Sequence, residues 1–352
     1  MTRPRSVHGV AVVGCGNMGA AHASAVAASR RARLIAAVDT RLETARAVAE
    51  RYGTEFHSAD FRDLLTRSDI DVVVVATYPS THAEIAIACM RAGKHVLLEK
   101  PIAPTMEAAE AAVRVACETD RKLRIGYVLR HNKTYQRAAK LVRSGILGSP
   151  LVMRMMGGEH IMTEAHWQQD FALLTETSPI VDCGCHYVDV MRWLTGAEAI
   201  RVSGSGCRLD PAIPEGCYDY GVIAISFSDG SSGVYEVGWA RAYRSFSEKE
   251  FIGPRGRLRI IYASERPEHH EEGDLLELYQ PPGRYRYVNV SGDLKRLGAE
   301  FADLLDCIDR DLDPMPALED AMKSLQIVLA GHHAILTGAA VSVTPWESAR
   351  LG

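Results

Sequence analysis

The chain has 352 residues, which is long enough for about two domains of roughly 150 residues each. Hydrophobic residues make up 47% of the sequence and charged residues 24%, so the chain can bury a sizeable core and shows no signature of disorder. The 44 acidic residues against 40 Lys and Arg give a formal net charge of -4 without a long basic run, so we expect no nucleic-acid partner.

Neither a membrane anchor nor a structural metal is expected. No apolar run approaches the roughly 18 residues that cross a bilayer, and the run Val10–Val13 is too short for the core of a signal peptide. We therefore expect a cytoplasmic protein with no membrane partner. Eight cysteines are too sparse for a disulfide scaffold. Cys183, Cys185 and His186 suggest a zinc site, but residues two apart on a helix point to different sides, so we expect no metal.

The first third of the chain alternates short β-branched runs with alanine-rich helical stretches. This rhythm predicts a parallel sheet covered on both faces by helices. Each helical stretch has apolar residues at three- and four-residue spacing. The predicted strands are Val10–Val13, Leu34–Val38, Val72–Ala76, His95–Leu98 and Leu123–Val128, and the predicted helices are Ala20–Ala28, Leu42–Arg51, His82–Ala92 and Met106–Thr119.

The pattern changes after about residue 128. One more helix, Tyr135–Ser144, ends before Gly145, and new strands begin at Leu151. From Ile200 to Tyr287 longer strands are separated by turn signals, which predicts a mostly antiparallel sheet. The last two segments, Leu294–Arg310 and Leu318–Leu336, return to helical spacing.

A glycine-rich turn follows the first predicted strand and precedes the first predicted helix. Its sequence, Gly14-Cys15-Gly16-Asn17-Met18-Gly19, matches G-x-G-x-x-G. In this pattern the first glycine allows a tight turn, the second lets the backbone approach a pyrophosphate, and the third lets the helix pack on the strand. The helix N-terminus then offers N–H groups to the anion. Such turns also arise for steric reasons alone, so the neighbouring residues must support the interpretation.

Asp39 supports it, because it ends the second predicted strand 25 residues after Gly14. The carboxylate that binds a ribose diol is expected about 20 residues after the turn. A carboxylate there repels a 2′-phosphate, which favours NAD over NADP, although Arg41 offers a guanidinium that suits NADP. A solvated aspartate at a strand end is the alternative. We count Thr40 and Arg41 with Asp39 as candidate cofactor residues.

Lys100 directly follows the predicted strand His95–Leu98, in the sequence Glu99-Lys100-Pro101. Proline disfavours helix at the residue before it, so Lys100 is expected to be extended at the carboxyl end of a parallel strand, where open α/β sheets bind ligands. A lysine there can meet a substrate hydroxyl beside a nicotinamide. The alternative is a solvated loop lysine.

A second group of polar residues lies on a predicted helix beginning near residue 183. Asp182, His186 and Asp189 are four and three residues apart and share one helix face. A histidine beside a carboxylate is a suitable acid/base for a hydroxyl proton. In the alternative interpretation Asp182 only caps the helix and His186 is a surface residue.

These three elements, in this order and spacing, resemble the glucose-fructose oxidoreductase / inositol dehydrogenase / rhizopine-catabolism (Gfo/Idh/MocA) family. The resemblance implies an α/β fold with an N-terminal Rossmann NAD-binding domain over residues 1–128. It also implies a C-terminal α+β domain over residues 129–352, whose mostly antiparallel open sheet carries substrate and oligomer contacts. The matching segments are Gly14–Gly19, Ala76–Glu84, Ala92–Pro101 and Asp182–Asp189.

The resemblance also implies residue roles. Lys100, Asp182 and His186 match the family's catalytic triad, in which His186 is the acid/base, Asp182 orients it and Lys100 binds the reacting oxygen. The candidate cofactor residues are Gly14, Gly16, Asn17, Met18, Gly19, Asp39, Thr40, Arg41, Thr77, His82, Glu99 and Lys100, and the candidate substrate residues are Lys100, Arg130, His160, Trp167, Asp182 and His186.

Two segments depart from the family pattern. Thr177–Ile180 stands where many members have a glycine-rich stretch, and Arg130-His131 stands where they have an Arg–aromatic pair. Both lie near the substrate in the family, so they bear on the identity of the substrate. A polar, aromatic stretch ahead of Asp182 contains Glu159, His160, His166 and Trp167. We expect some of these four side chains to touch sugar hydroxyls, with packing as the alternative for Trp167.

The function that follows is an NAD-dependent dehydrogenase acting on a secondary hydroxyl of a cyclitol, such as inositol, or of a sugar. One alternative is a regulator that binds nucleotide without turnover, because a fold does not fix a function. Another is a glycosidase that uses bound NAD for transient oxidation. The exposed face of an antiparallel sheet leads us to expect a homo-oligomer, either a dimer or a tetramer.

Overall fold

The structure is a computed structural model that describes residues 7–54, 56–158, 164–240, 246–266, 273–291, 296–314 and 316–347. The strands are β1 (His8–Val13), β2 (Ala32–Val38), β3 (Phe56–Ser58), β4 (Val72–Val75), β5 (His95–Leu98), β6 (Leu123–Ile125), β7 (Val152–Gly158), β8 (Ala199–Cys207), β9 (Tyr220–Phe227), β10 (Ser232–Gly238), β11 (Phe246–Gly253), β12 (Gly256–Ile261), β13 (Asp274–Gln280), β14 (Arg284–Val290) and β15 (Val341–Ser342). The helices are α1 (Asn17–Ala27), α2 (Leu42–Tyr52), α3 (Pro79–Arg91), α4 (Met106–Thr119), α5 (Lys133–Arg143), α6 (Glu164–Glu176), α7 (Pro179–Asp182), α8 (Gly184–Thr195), α9 (Leu297–Arg310) and α10 (Leu318–Thr337).

The chain divides into two compact units. Among the described residues, unit 1 comprises 7–128 and 296–322, and unit 2 comprises 129–291 and 323–347, each with the gaps given above. No helix within these ranges is both long and apolar enough to cross a membrane.

Unit 1 contains a six-stranded parallel sheet in the order β3-β2-β1-β4-β5-β6. This is the strand order of dinucleotide-binding Rossmann domains, in which the order reverses between β1 and β4. The four residues of β4 are all valine and all buried, as expected for a strand covered on both faces. The ligand crevice of such a sheet lies at the carboxyl ends of its strands.

Helix α9 belongs to unit 1, whereas the domain prediction placed every residue after 128 in the second domain. Its residues Phe301, Leu304 and Leu305 lie in the same buried cluster as Val10 and Val72. Helical spacing in the sequence shows that a helix has an apolar face, but it does not show which sheet that face covers. The chain therefore returns to complete the core of unit 1 with a helix distant in sequence.

Unit 2 contains a nine-stranded sheet in the order β14-β13-β12-β11-β7-β10-β9-β8-β15. Only the β7–β10 pair is parallel in the described sheet, which is otherwise antiparallel. Helix α7 packs on β9 and β10, and helix α8 packs on β10. Gly184 permits this close approach, because a Cβ there would lie 3.0 Å from the Tyr235 ring. The predicted fold class, a parallel Rossmann-like sheet followed by a mostly antiparallel sheet, is confirmed.

Candidate functional site

Two of the three glycines in the turn are required by packing. Gly14 has φ +85°, and a Cβ there would lie 2.4 Å from the carbonyl oxygen of Ala76. A Cβ on Gly19 would lie 1.7 Å from the carbonyl oxygen of Gly14. Neither position can therefore carry a side chain without moving the backbone.

Gly16 is different, because a Cβ there would meet nothing within 4 Å. Its backbone is extended, with φ −68° and ψ −163°, so any residue could adopt it. Gly16 is also the N-cap of α1, which begins with Asn17 and Met18, and it supplies no side-chain cap. The residue thus keeps open a small cradle in front of a helix N-terminus, which fits the pyrophosphate of a dinucleotide.

Asp39 follows β2 and stabilises the glycine turn. Its Oδ2 accepts a hydrogen bond from the backbone N–H of Cys15 at 2.8 Å, and its Oδ1 accepts one from Arg41 at 2.9 Å. The Asp39 side chain is only 10% exposed, whereas that of Arg41 is 74% exposed. A carboxylate has about four acceptor positions, so capacity for ribose hydroxyls remains. Asp39 is therefore not simply solvated, and Thr40 beside it is exposed.

Glu99 connects the end of β5 to helix α1. One carboxylate oxygen lies 2.7 Å from Nε2 of His22, and the other accepts the backbone N–H of Lys100 at 3.2 Å. Glu99 and His22 are both buried, whereas Lys100 is half-buried and precedes a cis peptide bond to Pro101. His22 was not predicted, although a histidine on the otherwise apolar buried face of α1 was a usable signal.

His82, on α3, faces two backbone carbonyl groups. Its Nδ1 lies 2.7 Å from the carbonyl oxygen of Pro101, and its Nε2 lies 3.1 Å from that of Thr77. The side chain is 1% exposed, and burial lowers the pKa of the imidazole. The structure thus buries this candidate cofactor residue, with both nitrogens directed at the protein backbone.

In unit 2, Asp182 and His186 lie on two successive short helices rather than on one. Asp182 is the buried last residue of α7, whose N-terminus is capped by the Ser178 hydroxyl. His186 is half-buried in the first turn of α8, and Cys183 separates the two helices. Because Cys183 is the N-cap residue of α8, Asp182 does not cap the helix that carries His186.

Arg130 pairs with Asp189, one turn beyond His186. The guanidinium makes two hydrogen bonds to the carboxylate, at 2.8 and 2.7 Å, and both side chains are buried. The Arg130 guanidinium also lies 5.6 Å from the centre of the Trp193 ring. This candidate substrate residue therefore holds α8 by an internal ion pair, and its contact with substrate stays a prediction.

A buried lysine that the sequence analysis missed lies beside α8. The Lys249 ammonium donates to the carbonyl oxygen of Met156 and to the Ser247 hydroxyl, and it lies 4.6 Å from the centre of the Tyr187 ring. Burial lowers the pKa of Lys249 to about 8. It lies inside a β-strand without a recognisable motif, so spacing gave no signal.

Several predicted residues lie outside the described part of the chain. Glu159 and His160 fall there completely. His166 and Trp167 belong to α6, but their side chains are outside the described residues. Within the described ranges, no cluster of three or more His, Cys, Asp or Glu side chains is arranged to hold a metal ion.

Comparison with known proteins identifies the family. The model of an oxidoreductase family with an NAD-binding Rossmann fold, GFO_IDH_MocA, matches residues 8–127, and the GFO/IDH/MocA C-terminal domain matches residues 135–259. Inositol 2-dehydrogenase 1 of Saccharopolyspora erythraea is 36% identical over 261 residues, which cover 72% of this chain and 74% of that protein. The chain belongs to the GFO/IDH/MocA family. It is therefore an oxidoreductase with an NAD-binding Rossmann domain.

Two further proteins extend the comparison. The scyllo-inositol 2-dehydrogenase (NAD(+)) of Bacillus subtilis is 29% identical over 253 residues, covering 71% of this chain and 72% of that protein. The crystal structure of myo-inositol 2-dehydrogenase from Lactobacillus plantarum superposes with a TM-score of 0.82. It covers 96% of this chain and 99% of the other at 22% identity, which supports the fold alone.

Proposed function

We propose that this protein is an NAD-dependent dehydrogenase that oxidises or reduces a secondary hydroxyl of an inositol-like cyclitol or of a sugar. The observation that carries the proposal is the presence of Lys100, Asp182 and His186, the residues to which the family resemblance assigns the chemistry, in a chain 36% identical to an inositol 2-dehydrogenase. The open cradle at Gly16 supports the cofactor part of the proposal.

The residues of unit 1 fit a dinucleotide. We assign the pyrophosphate to the turn Gly14–Gly19 and the N-terminus of α1, and the adenosine ribose to Asp39. Bound NAD would supply the acceptor for a hydride from the substrate carbon. We propose NAD rather than NADP because Asp39 would repel a 2′-phosphate, while the exposed Arg41 is the residue that would admit one. Thr77 and Lys100 remain proposed cofactor contacts.

The protein's own chemistry in this proposal is proton transfer and charge stabilisation. His186 takes the hydroxyl proton at an imidazole nitrogen during oxidation and returns it during reduction. Asp182 orients the imidazole, and Lys100 donates a hydrogen bond to the reacting oxygen, where negative charge develops. The half-buried position of His186 suits this role better than that of a solvated surface histidine.

The remaining parts of the sequence prediction belong to the same proposal. His160 and Trp167 are kept as substrate residues, and Arg130 acts as substrate residue or as support of α8 through Asp189. We also propose a homo-oligomer, either a dimer or a tetramer, located in the cytoplasm. The two alternatives, a non-catalytic regulator and an NAD-dependent glycosidase, are not favoured, because the relatives described above are dehydrogenases by name.

The test is a dehydrogenase assay on the purified protein with NAD or NADP and a panel of inositol stereoisomers, glucose, phosphorylated sugars and amino sugars. We expect NADH absorbance with at least one cyclitol or sugar. His186→Ala should lower the rate about 100- to 10,000-fold, as expected for the loss of a general acid–base. His333→Ala, which changes an exposed histidine of α10, is the matched control. If no substrate of the panel reduces NAD or NADP, the proposal is refuted.

A further inference from the structure

The imidazole of His82 lies between two loops at the carboxyl edge of the parallel sheet. Thr77 follows β4, and Pro101 follows Lys100 after β5. Strands β4 and β5 are hydrogen-bonded neighbours, so these loops are adjacent at the edge where such sheets bind ligands. His82 contacts the backbone of both loops through its two ring nitrogens.

The two contacts of His82 are not equivalent. Carbonyl oxygens only accept hydrogen bonds, and a neutral imidazole carries a single N–H. Burial lowers the pKa of the imidazole and so favours its neutral form, in which one nitrogen donates and the other carries no hydrogen. We assign the donated bond to the shorter contact, 2.7 Å from Nδ1 to Pro101, because the contact from Nε2 to Thr77 is 3.1 Å.

Side-chain contacts hold the backbone on both sides of Lys100. On its amino side Glu99 accepts the Lys100 backbone N–H and contacts His22. On its carboxyl side the carbonyl group of Pro101 is held by His82. The charge of Lys100 also contributes to lowering the pKa of His82, so the two side chains interact electrostatically.

We propose that His82 is a positioning residue for the reaction: by donating from Nδ1 to the carbonyl oxygen of Pro101, it sets the position of the Lys100 amine without touching substrate or cofactor. This inference rests on the proposed role of Lys100 in binding the reacting oxygen. It replaces the predicted role of His82 as a direct cofactor ligand. Small displacements of a group that orients a reacting oxygen can cost about 100-fold in rate.

Two substitutions of His82 each keep a hydrogen-bond donor for only one of the two carbonyl oxygens. The amide nitrogen of Asn is as many bonds from Cα as Nδ1 of His, so His82→Asn keeps a donor for Pro101. The amide nitrogen of Gln corresponds to Nε2, so His82→Gln keeps a donor for Thr77 only. We expect His82→Asn to retain kcat within about threefold, and His82→Gln to lose about 10- to 100-fold in kcat with an unchanged Kd for NAD.

His95→Ala is the matched control, because His95 lies at the amino end of β5, whereas Lys100 follows the carboxyl end of the same strand. Its Nδ1 accepts the backbone N–H of Lys122 at 3.0 Å, so the substitution also removes one hydrogen bond to the backbone. We expect it to lower Tm without lowering kcat. Equal losses of kcat in His82→Asn and His82→Gln, or a loss in His95→Ala as large as that in His82→Gln, would overturn the positioning role.

A second readout separates this inference from the proposed function. The rate at which an amine-reactive reagent labels Lys100 can be followed by peptide mass spectrometry without substrate, with the exposed Lys140 as internal reference. We expect His82→Gln to change the labelling rate of Lys100 by more than about threefold and His82→Asn to leave it unchanged. If wild-type protein oxidises no substrate, the proposed function fails, and this rate still decides the inference. Equal rates in all three proteins would refute it.

Discussion

Gly16→Ala should weaken cofactor binding without harming the fold. The backbone of Gly16 suits any residue, and the added Cβ would meet no atom within 4 Å. Replacing glycine by alanine at a compatible position stabilises a protein by about 0.4–1 kcal/mol through the unfolded state. Because Gly16 is the N-cap of α1, where alanine is less favourable than glycine, this gain is offset, and the free energy of unfolding should change by less than about 1 kcal/mol.

The methyl group would, however, occupy the cradle that we assign to the pyrophosphate. Hydrogen bonds to a charged group contribute about 1.5–3 kcal/mol each, so disturbing one of them should raise the Kd for NAD about 10- to 100-fold. Isothermal titration calorimetry with NAD measures the Kd, and urea denaturation measures the free energy of unfolding.

Two further glycines provide the controls. A Cβ on Gly298, in α9, also meets nothing within 4 Å, so Gly298→Ala should be stabilising and leave the Kd unchanged. Gly19→Ala should instead destabilise the fold, because its Cβ would overlap the carbonyl oxygen of Gly14. A Gly16→Ala protein that binds NAD like wild type would refute the assignment of the cradle.

Three other predictions concern buried or partly buried charges. Burial raises the pKa of Glu300, on α9, from 4.5 to about 7. Between these pH values the carboxyl group loses its proton only in the unfolded chain, so the free energy of unfolding falls by up to about 3 kcal/mol as pH rises. Glu300→Gln should remove this fall, measured by urea denaturation at pH 5 and pH 8, and an unchanged fall would contradict the prediction. Arg130→Met should lower the free energy of unfolding by about 3–5 kcal/mol, because it leaves the buried Asp189 carboxylate without the guanidinium. Adding Asp189→Asn should recover part of that loss in a double-mutant cycle, and strictly additive losses would contradict the pairing. Asp39→Ala should lower the ratio of kcat/KM for NAD to that for NADP by about tenfold or more, measured with both cofactors, and an unchanged ratio would contradict its role.

The sequence was most informative where a physical pattern is local. All five predicted strands of unit 1 are present, because short β-branched runs bounded by turns specify buried parallel strands. Strand β3 was missed, since Phe56–Ser58 is a three-residue edge strand with a single apolar side chain. Likewise the turn Gly14–Gly19 was readable, because Gly14 and Gly19 serve close backbone approaches that no other residue permits.

Long-range partners were not readable from the sequence. Spacing placed Asp189 on the same helix face as His186, but it did not show that Asp189 pairs with Arg130, 59 residues away. His82 looked like a cofactor residue because its segment matches the family, whereas its two backbone contacts depend on how neighbouring loops fold. Helix α9 was assigned to the wrong unit for the same reason.

Direct hydride transfer can be tested by following the hydrogen on the substrate carbon. Purified protein would be incubated with NAD and an inositol that carries deuterium at the oxidised carbon, and the reduced cofactor would be examined by mass spectrometry. Deuterium should appear in the reduced cofactor, and His186→Ala should strongly slow its appearance. Reduced cofactor without deuterium, or no reduced cofactor with any cyclitol or sugar, would show that hydride transfer from a substrate carbon to NAD is not the reaction of this protein.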